Sequence, residues 1–301
     1  MQTDLSLLVT RTIERVRSEY VFAETGQRAA AALEQARDSG RLDSVGTDLV
    51  QLCDAMTDVL REATHDLHLR LVHHAGGAPD PSDAGDYAAH WSQQAARTAG
   101  GVRGVRRTPD NVAVVELGPF LGLPVYAGRW QSAALDLCHG ASGVVLDLRE
   151  CVGGTPDSTA LVCSHFFDPE PVHLTDVLDR RGTQQFWTLS LLPGRRIGPD
   201  VPLAVLVSSR TFSGGEELAF TLQELGRATV VGEQTRGGAH PRIGVRVHPQ
   251  VELALPVASP RSPRSGRNWE GTGVSPDIVT SADGALERVL TELASRRRPT
   301  P

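Results

Sequence analysis

Apolar residues recur three and four positions apart through the first part of the chain. Two such stripes are formed by Leu5, Leu8, Val9, Ile13 and Val16 and by Leu49, Leu52, Met56, Val59 and Leu60. Between them, residues 29–36 are rich in good helix formers, and Ser39-Gly40 follows as a stop signal. This spacing is typical of amphipathic helices. The sequence therefore predicts an N-terminal helical domain over residues 1–75.

The pattern changes after residue 76. Residues 76–86 (GGAPDPSDAGD) are rich in turn formers, and we predict a linker or loop region over residues 76–108. Beyond it, helical stretches alternate with short apolar runs, which are VAVVEL (112–117), GVVLDL (143–148), LAVLVSS (203–209) and ATVVGE (228–233). Such alternation predicts βαβ units and a mainly parallel, helix-covered sheet. The predicted fold class is α/β, with the sheet in a domain over residues 109–301.

Composition narrows the chemistry that this chain can use. The 30 basic and 36 acidic side chains give a net charge of −6, and every basic side chain is arginine. A lysine base, a lysine Schiff base and a P-loop are therefore excluded. The four cysteines form no C-x-x-C pair, and no apolar run is long enough for a secretory signal or a membrane span. We expect a cytoplasmic protein without metal or organic cofactor that binds neither nucleic acid nor membrane, and a homo-oligomer is left open.

Two glycine-rich turns at predicted strand ends carry the candidate chemistry. In LVSSRTFSGGEELAF (206–220), Ser213 follows a strand and precedes two glycines at a helix start, where the Gly214 amide can face an oxyanion. In LDLRECVGGTPD (146–157), the amides of Gly153 and Gly154 offer a second donor. Taken alone, each turn is better explained by an ordinary structural role, Ser213 as a helix cap and the second turn as a βα connection. Together they suit the site expected at the carboxyl ends of parallel strands.

Five ordered segments carry a family resemblance: HDLHLRL (65–71), GVVLDLRECVGG (143–154), VPLAVLVSSRTFSGGEELAF (201–220), LGRATVVGEQTRGGAHP (225–241) and NWEGTGVSPDI (268–278). The chain resembles the S41 serine peptidases, the tail-specific or carboxyl-terminal processing family. It is most similar to the branch with the interphotoreceptor retinoid-binding protein modules and the tricorn core protease. The resemblance implies a helical N-terminal domain and a crotonase-like or ClpP-like ββα-spiral catalytic domain, without a PDZ domain.

The resemblance also implies roles for individual residues. Ser213 matches the nucleophile, but Gly238 stands where the processing branch has its activating lysine, so a Ser–Lys dyad is impossible. The tricorn-like branch uses a histidine and a late glutamate instead, and His68 and Glu270 match them. A histidine with a pKa near 6.5 suits a general base at neutral pH. The resemblance thus implies a Ser213–His68–Glu270 catalytic set, and we expect Gly153, Gly154, Gly214 and Arg210 to bind the oxyanion or substrate.

Departures from the family pattern keep alternatives open. Leu67 replaces the branch's base-orienting serine, and Cys151 replaces the usual asparagine of the Gly-Gly turn. His240 is a rival base, and Arg210 could form an ion pair within the fold rather than bind substrate. The leading hypothesis is a peptide-bond serine hydrolase acting on a peptide or small peptide-like substrate. The alternatives are a non-catalytic module that binds an apolar ligand or peptide, and a relative that acts on a small peptide or acyl compound in biosynthesis.

Overall fold

The computed structural model describes residues 2–43, 48–79 and 84–295. Contacts within the chain divide it into two compact units. The helical unit comprises Met1–Tyr87, Leu178–Thr183 and His240–Pro260, and the sheet unit comprises Ala88–Val177, Gln184–Ala239 and Arg261–Pro301. Contacts therefore assign residues 240–260 to the same unit as the first helices, although they lie far along the chain.

The described helices are α1 (Gln2–Glu19), α2 (Ala23–Asp38), α3 (Leu49–Thr64), α4 (Ala84–Arg97), α5 (Pro124–Asp136), α6 (Pro156–Ser164), α7 (Gly214–Glu224) and α8 (Ala285–Ser295). The strands are β1 (Arg70–His73), β2 (Val102–Arg107), β3 (Val112–Leu117), β4 (Phe120–Leu121), β5 (Gly143–Asp147), β6 (Gly153–Gly154), β7 (His173–Asp179), β8 (Thr183–Trp187), β9 (Leu203–Val207), β10 (Thr229–Gly232), β11 (Arg242–His248), β12 (Val251–Pro256), β13 (Ala258–Arg261) and β14 (Ile278–Val279). Helix α4 and strand β2 occupy much of the segment 76–108 that the sequence predicts as a linker.

The helical unit combines α1, α2 and α3 with an antiparallel sheet of order β1-β12-β11. The apolar stripes of the three helices are buried against one another and against the sheet, with Leu8, Leu33, Met56, Leu60 and Leu253 fully buried. At the start of α3, the Asp48 carboxylate accepts hydrogen bonds from the backbone amides of Val50 and Gln51, which an N-cap residue does for the unpaired first turn. The helical periodicity of the sequence thus corresponds to a packed core.

The sheet unit is built on six strands in the order β14-β10-β9-β5-β3-β2. Neighbouring strands are parallel except for the antiparallel pair of β2 and β3. Every residue of β5 and β9 is buried, because alternate side chains face α5–α7 on one side of the sheet and α8 on the other. The predicted α/β class with a mainly parallel, helix-covered sheet is confirmed.

The described residues contain no PDZ domain. None of the helices in these ranges combines the length and the apolar character needed to cross a bilayer.

Candidate active site

Ser213 occupies a strained turn between strand β9 and helix α7. Its backbone has φ 54° and ψ −121°, in the left-handed half of the map that a residue with a β-carbon rarely adopts. Helix α7 begins at the next residue, Gly214, and the Phe212 amide donates to the Cys151 carbonyl at 3.0 Å. The turn therefore presents the serine at the amino end of a helix, where partial positive charge favours a developing anion.

The Gly153–Gly154 turn lies directly against the start of α7. A β-carbon on Gly214 would come within 2.6 Å of the Gly154 carbonyl carbon, and one on Gly215 within 2.6 Å of the Cys151 carbonyl oxygen. Both positions therefore need glycine because the two backbones touch. Strand β6, which is Gly153–Gly154, is held from the other side by parallel pairing with β4. The structure thus brings Ser213 together with the three glycines that the sequence nominates as oxyanion donors.

A buried carboxylate, Glu216, joins the Ser213 turn to the loop that follows β10. Its Oε2 accepts hydrogen bonds from the amides of Ser213 (2.8 Å) and Gly238 (2.9 Å). Its Oε1 accepts from the Thr235 hydroxyl (2.6 Å) and the Gly237 amide (2.6 Å). Burial raises the pKa of the Glu216 carboxyl, and these four donors oppose that rise. Sequence reasoning missed Glu216, although its place three residues after Ser213 is the capping-box spacing.

Glu270 lies in the sheet unit beside the same loop. One carboxylate oxygen accepts a hydrogen bond from the Ala239 amide at 2.5 Å. The preceding residue, Trp269, is buried and donates from its indole nitrogen to the Gly238 carbonyl at 2.9 Å. Trp269 is therefore a core aromatic that anchors this loop.

In the helical unit, both candidate histidines donate hydrogen bonds to one buried aspartate, Asp66. Asp66 is 1% exposed, and its carboxylate accepts from the Tyr20 hydroxyl (2.9 Å), from His240 Nδ1 (2.8 Å) and from the backbone amide of His68 (2.9 Å). Burial acts to raise the pKa of Asp66, but the hydrogen bonds and the charge of His240 outweigh it and hold that pKa below its usual value. Asp66 was missed at the sequence level, where the signal is a carboxylate two residues before His68.

The two histidines contact Asp66 through different atoms, His68 through its backbone amide and His240 through Nδ1. His68 is 5% exposed, and burial, with the nearby positive charges of Arg70 and Arg242, lowers its pKa to about 4 although Asp66 opposes the change. The ordinary pKa near 6.5 that the sequence suggests is therefore not retained. A carboxylate facing Nδ1, the arrangement that orients an imidazole in catalytic triads, occurs at His240.

The remaining nominated side chains make contacts within the fold. Arg210 pairs with Glu150 on the surface, where the two side chains are 67% and 41% exposed. Cys151 is fully buried, and burial raises the pKa of its thiol to about 12, so the thiolate is absent at neutral pH.

Comparison with known proteins places this arrangement in a family. Residues 111–280, more than half of the chain, match the family model described as peptidase family S41. The chain belongs to peptidase family S41. Its sequence is 32% identical over 141 residues to a carboxyl-terminal-processing protease of Synechocystis sp., which covers 47% of this chain and 31% of that protein. The chain thus spans about a third of the length of this curated relative.

Solved structures share this fold along nearly the whole chain. A lipoprotein from Streptococcus agalactiae aligns with a TM-score of 0.63 at 16% identity, covering 97% of each chain. The tricorn protease aligns with a TM-score of 0.53 at 12% identity, covering 98% of this chain and 37% of that one. The family predicted from the ordered motifs is confirmed, while the identity of the general base stays a prediction.

Proposed function

We propose that this S41 chain is a serine-type hydrolase that cleaves peptide bonds through an acyl-enzyme on Ser213. The observation that carries the proposal is the Ser213 turn, in which a residue with positive φ starts a helix against the glycine backbones of a neighbouring turn. Strained backbone of this kind persists where the surroundings impose it and is common at active sites. A serine that serves as a helix cap alone needs neither the strain nor the contact.

The reaction follows from the groups at this turn. The Ser213 hydroxyl oxygen attacks the scissile carbonyl carbon while its proton passes to an imidazole. Amides near Gly153, Gly154 and Gly214 stabilise the oxyanion. The C–N bond then breaks, and the leaving amine takes the proton from the imidazolium. Water next attacks the ester, gives its proton to the same imidazole, and releases the acid and the free serine.

We assign the general base to His68, with His240 as its rival. The absence of lysine leaves histidine as the residue type for this step, and the HDLHLRL resemblance favours His68. Because burial lowers the pKa of His68 to about 4, its imidazole is neutral and able to accept a proton at neutral pH. The Asp66–His240 hydrogen bond supports the rival assignment. We assign Glu270 to orientation of the base or of the substrate, and Arg210 to the substrate's carboxylate end.

The proposed substrate is a peptide or a small peptide-like compound. Carboxyl-terminal processing by the relative in Synechocystis sp. supports a peptide, although this chain spans only about a third of that protein. Cytoplasmic location and independence of metal, organic cofactor, nucleic acid and membrane stay predictions from the sequence. The buried thiol of Cys151, in place of the turn asparagine, is the observation that supports the two alternatives. These are a non-catalytic apolar-ligand or peptide binding module, and a relative that acts on a small peptide or acyl compound in biosynthesis.

Covalent labelling with a fluorophosphonate tests the assignment. The chain has no lysine, so trypsin cuts after Arg210 and Arg227 and releases a 211–227 peptide in which Ser213 is the one serine. We expect one adduct per chain on this peptide, and none in Ser213→Ala. Ser209→Ala is the matched control because Ser209 is an exposed serine of the same connection, and it should label as the wild type does. An unlabelled wild type would support the non-catalytic module.

A further inference from the structure

We propose that Glu216 is a positioning residue of this site, whose buried carboxylate locks the Ser213 turn and the loop 235–238 into one rigid element. This role rests on the function proposed above for Ser213. Glu216 has no contact with substrate in this scheme and acts through the backbone that carries the nucleophile.

The donors to Glu216 define the geometry closely. Three of them are backbone amides, those of Ser213, Gly237 and Gly238, and the fourth is the Thr235 hydroxyl. A backbone amide can only donate, and its direction is fixed by the chain. A carboxylate offers acceptor positions on both oxygens, so it satisfies all four donors without donating. The side chain therefore fits this place as an anion that accepts from two separate segments at once.

The segments that it joins have little intrinsic order. Ser213 is held in the left-handed region with φ 54°, and Gly237 has φ 88°. Residues 235–239 (TRGGA) contain two glycines, which have no side chain to restrain them. Hydrogen bonds from both segments to one carboxylate replace that missing restraint, so the backbone of the nucleophile is fixed relative to the loop.

The same loop connects onward to the segment that carries Glu270. The Thr235 hydroxyl oxygen accepts from the Val274 amide at 2.7 Å, and the Gly238 carbonyl accepts from Trp269. Glu270 in turn accepts from the Ala239 amide. A loosening of the Glu216 clamp would therefore reach the nucleophile turn and the segment of the predicted catalytic glutamate together.

Helix capping alone does not account for these contacts. A capping-box glutamate needs only the bond to the N-cap amide, here that of Ser213. The other three donors lie 19 to 22 residues further along the chain and have no part in capping α7. The arrangement points to a clamp between two loops of the site.

Glu217 is the matched control on the same helix turn. It is also buried, at 5% exposure, and burial together with the negative charge of Asp157 raises its pKa to about 8. Its carboxyl is therefore mostly protonated at pH 7, and glutamine resembles it in shape and charge. In Glu216→Gln, by contrast, an NH₂ group replaces one of the two carboxylate oxygens. Each of those oxygens accepts two hydrogen bonds, so in either orientation of the amide the NH₂ group faces two donors.

The test compares the second-order rate of fluorophosphonate labelling at Ser213 in wild type, Glu216→Gln and Glu217→Gln. We expect Glu216→Gln to label about 100-fold more slowly, the size of loss that a small misplacement of a reacting group produces, yet to reach one adduct per chain. Glu217→Gln should stay within about threefold of wild type, since it keeps the Glu216 clamp intact. A merely structural role would lower the labelled fraction and leave the rate per competent site unchanged.

The outcomes separate this role from the proposed function. If the wild type labels at Ser213 and Glu216→Gln labels at the same rate per competent site, the clamp has no positioning role. If the wild type does not label, the proposed function fails and the role of Glu216 with it. Should Glu216→Gln fail to fold, Thr235→Val removes one donor from the carboxylate, and a labelling rate equal to that of wild type would overturn the inference.

Discussion

Two buried carboxylates, one in each unit, show how differently the same kind of group can be stabilised. Glu216 in the sheet unit takes three of its four described hydrogen bonds from backbone amides, whereas Asp66 in the helical unit takes two of three from the side chains of Tyr20 and His240. Burial raises the pKa of Glu216, while the hydrogen bond and charge of His240 hold that of Asp66 below its usual value in spite of burial.

The partners of the two carboxylates suit them to different roles, Glu216 to fixing backbone geometry and Asp66 to proton transfer. Backbone donors cannot change protonation state, so the Glu216 clamp holds a shape. The Asp66 cluster contains the imidazoles of His68 and His240, and an imidazole is a side chain that can accept and release a proton. The proposed nucleophile, Ser213, belongs to the sheet unit, and both proposed bases, His68 and His240, belong to the helical unit.

The largest expected effect tests the sheet-unit side of this comparison. Ser213→Ala should lower peptide or ester hydrolysis by about 10⁴-fold or more, as loss of a nucleophile does in other triads. The free energy of unfolding should fall by at most about 1–2 kcal/mol, the value of a lost helix cap. Activity assays and denaturant unfolding measure the two quantities. Activity within about tenfold of wild type would remove Ser213 from the nucleophile position.

The next effect decides between the two imidazoles of the helical unit. His68→Ala should lower kcat about as severely as Ser213→Ala, because members of one catalytic unit are non-additive, and His240→Ala should keep measurable turnover. The kcat/KM profile of the wild type should fall on the acid side with an apparent pKa near the value of about 4 for His68. An active His68→Ala with an inactive His240→Ala would transfer the base to the Asp66–His240 pair.

Acid sensitivity of the helical unit gives a smaller effect. The pKa of His68 falls from 6.5 to about 4 on folding, so the unfolded chain binds more protons between these values and stability falls as the pH drops through this window. The loss is at most about 3 kcal/mol, from a change of 1.36 kcal/mol per pKa unit. Urea unfolding at pH 7, 5.5 and 4 measures it. His68→Gln, which does not titrate, should show a shallower dependence, and an equal slope would contradict the burial effect.

The smallest expected effect concerns the surface pair of Arg210 and Glu150. Both side chains are substantially exposed, so Arg210→Ala should change the free energy of unfolding by less than about 1 kcal/mol. If Arg210 binds a substrate carboxylate, Arg210→Ala should raise KM while the free energy of unfolding stays within that limit. Parallel measurement of KM and urea unfolding separates the two, and Arg181→Ala is a matched exposed control. Unchanged KM would leave Arg210 as a surface ion pair.

The sequence predicts the parts of this fold that depend on local pattern. Continuous apolar runs predict β5 and β9, because both faces of a buried parallel strand are covered. The Gly-Gly pairs that follow these strands predict the two turns, which meet at Gly154 and Gly214. Pairing over long distances leaves no such local pattern. Strand β12 pairs antiparallel with β1, and the register places Leu71 opposite Leu253. The sequence of neither strand indicates which strand it pairs with.

Two buried carboxylates, Asp66 and Glu216, were missed for the same reason. Asp66 is bound by groups 46 and 174 residues away in the chain, and most of the donors to Glu216 come from a loop about twenty residues later. Ser213 was found from the sequence because its neighbours along the chain form both the Gly-Gly turn and the family motif. Hydrogen-bond partners that are distant along the chain could be identified only from the structure.

The central claim, that Ser213 is the nucleophile that forms an acyl-enzyme, is tested most directly by trapping that intermediate. A chromogenic peptide ester mixed with the wild type should release a burst of about one leaving group per chain, as acyl-enzyme accumulation does. Acid quenching within the burst, followed by trypsin, should place the acyl mass on the 211–227 peptide, which contains Ser213 as its one serine. Turnover of the ester without a burst and with an unmodified 211–227 peptide, or with equal turnover in Ser213→Ala, would contradict the account.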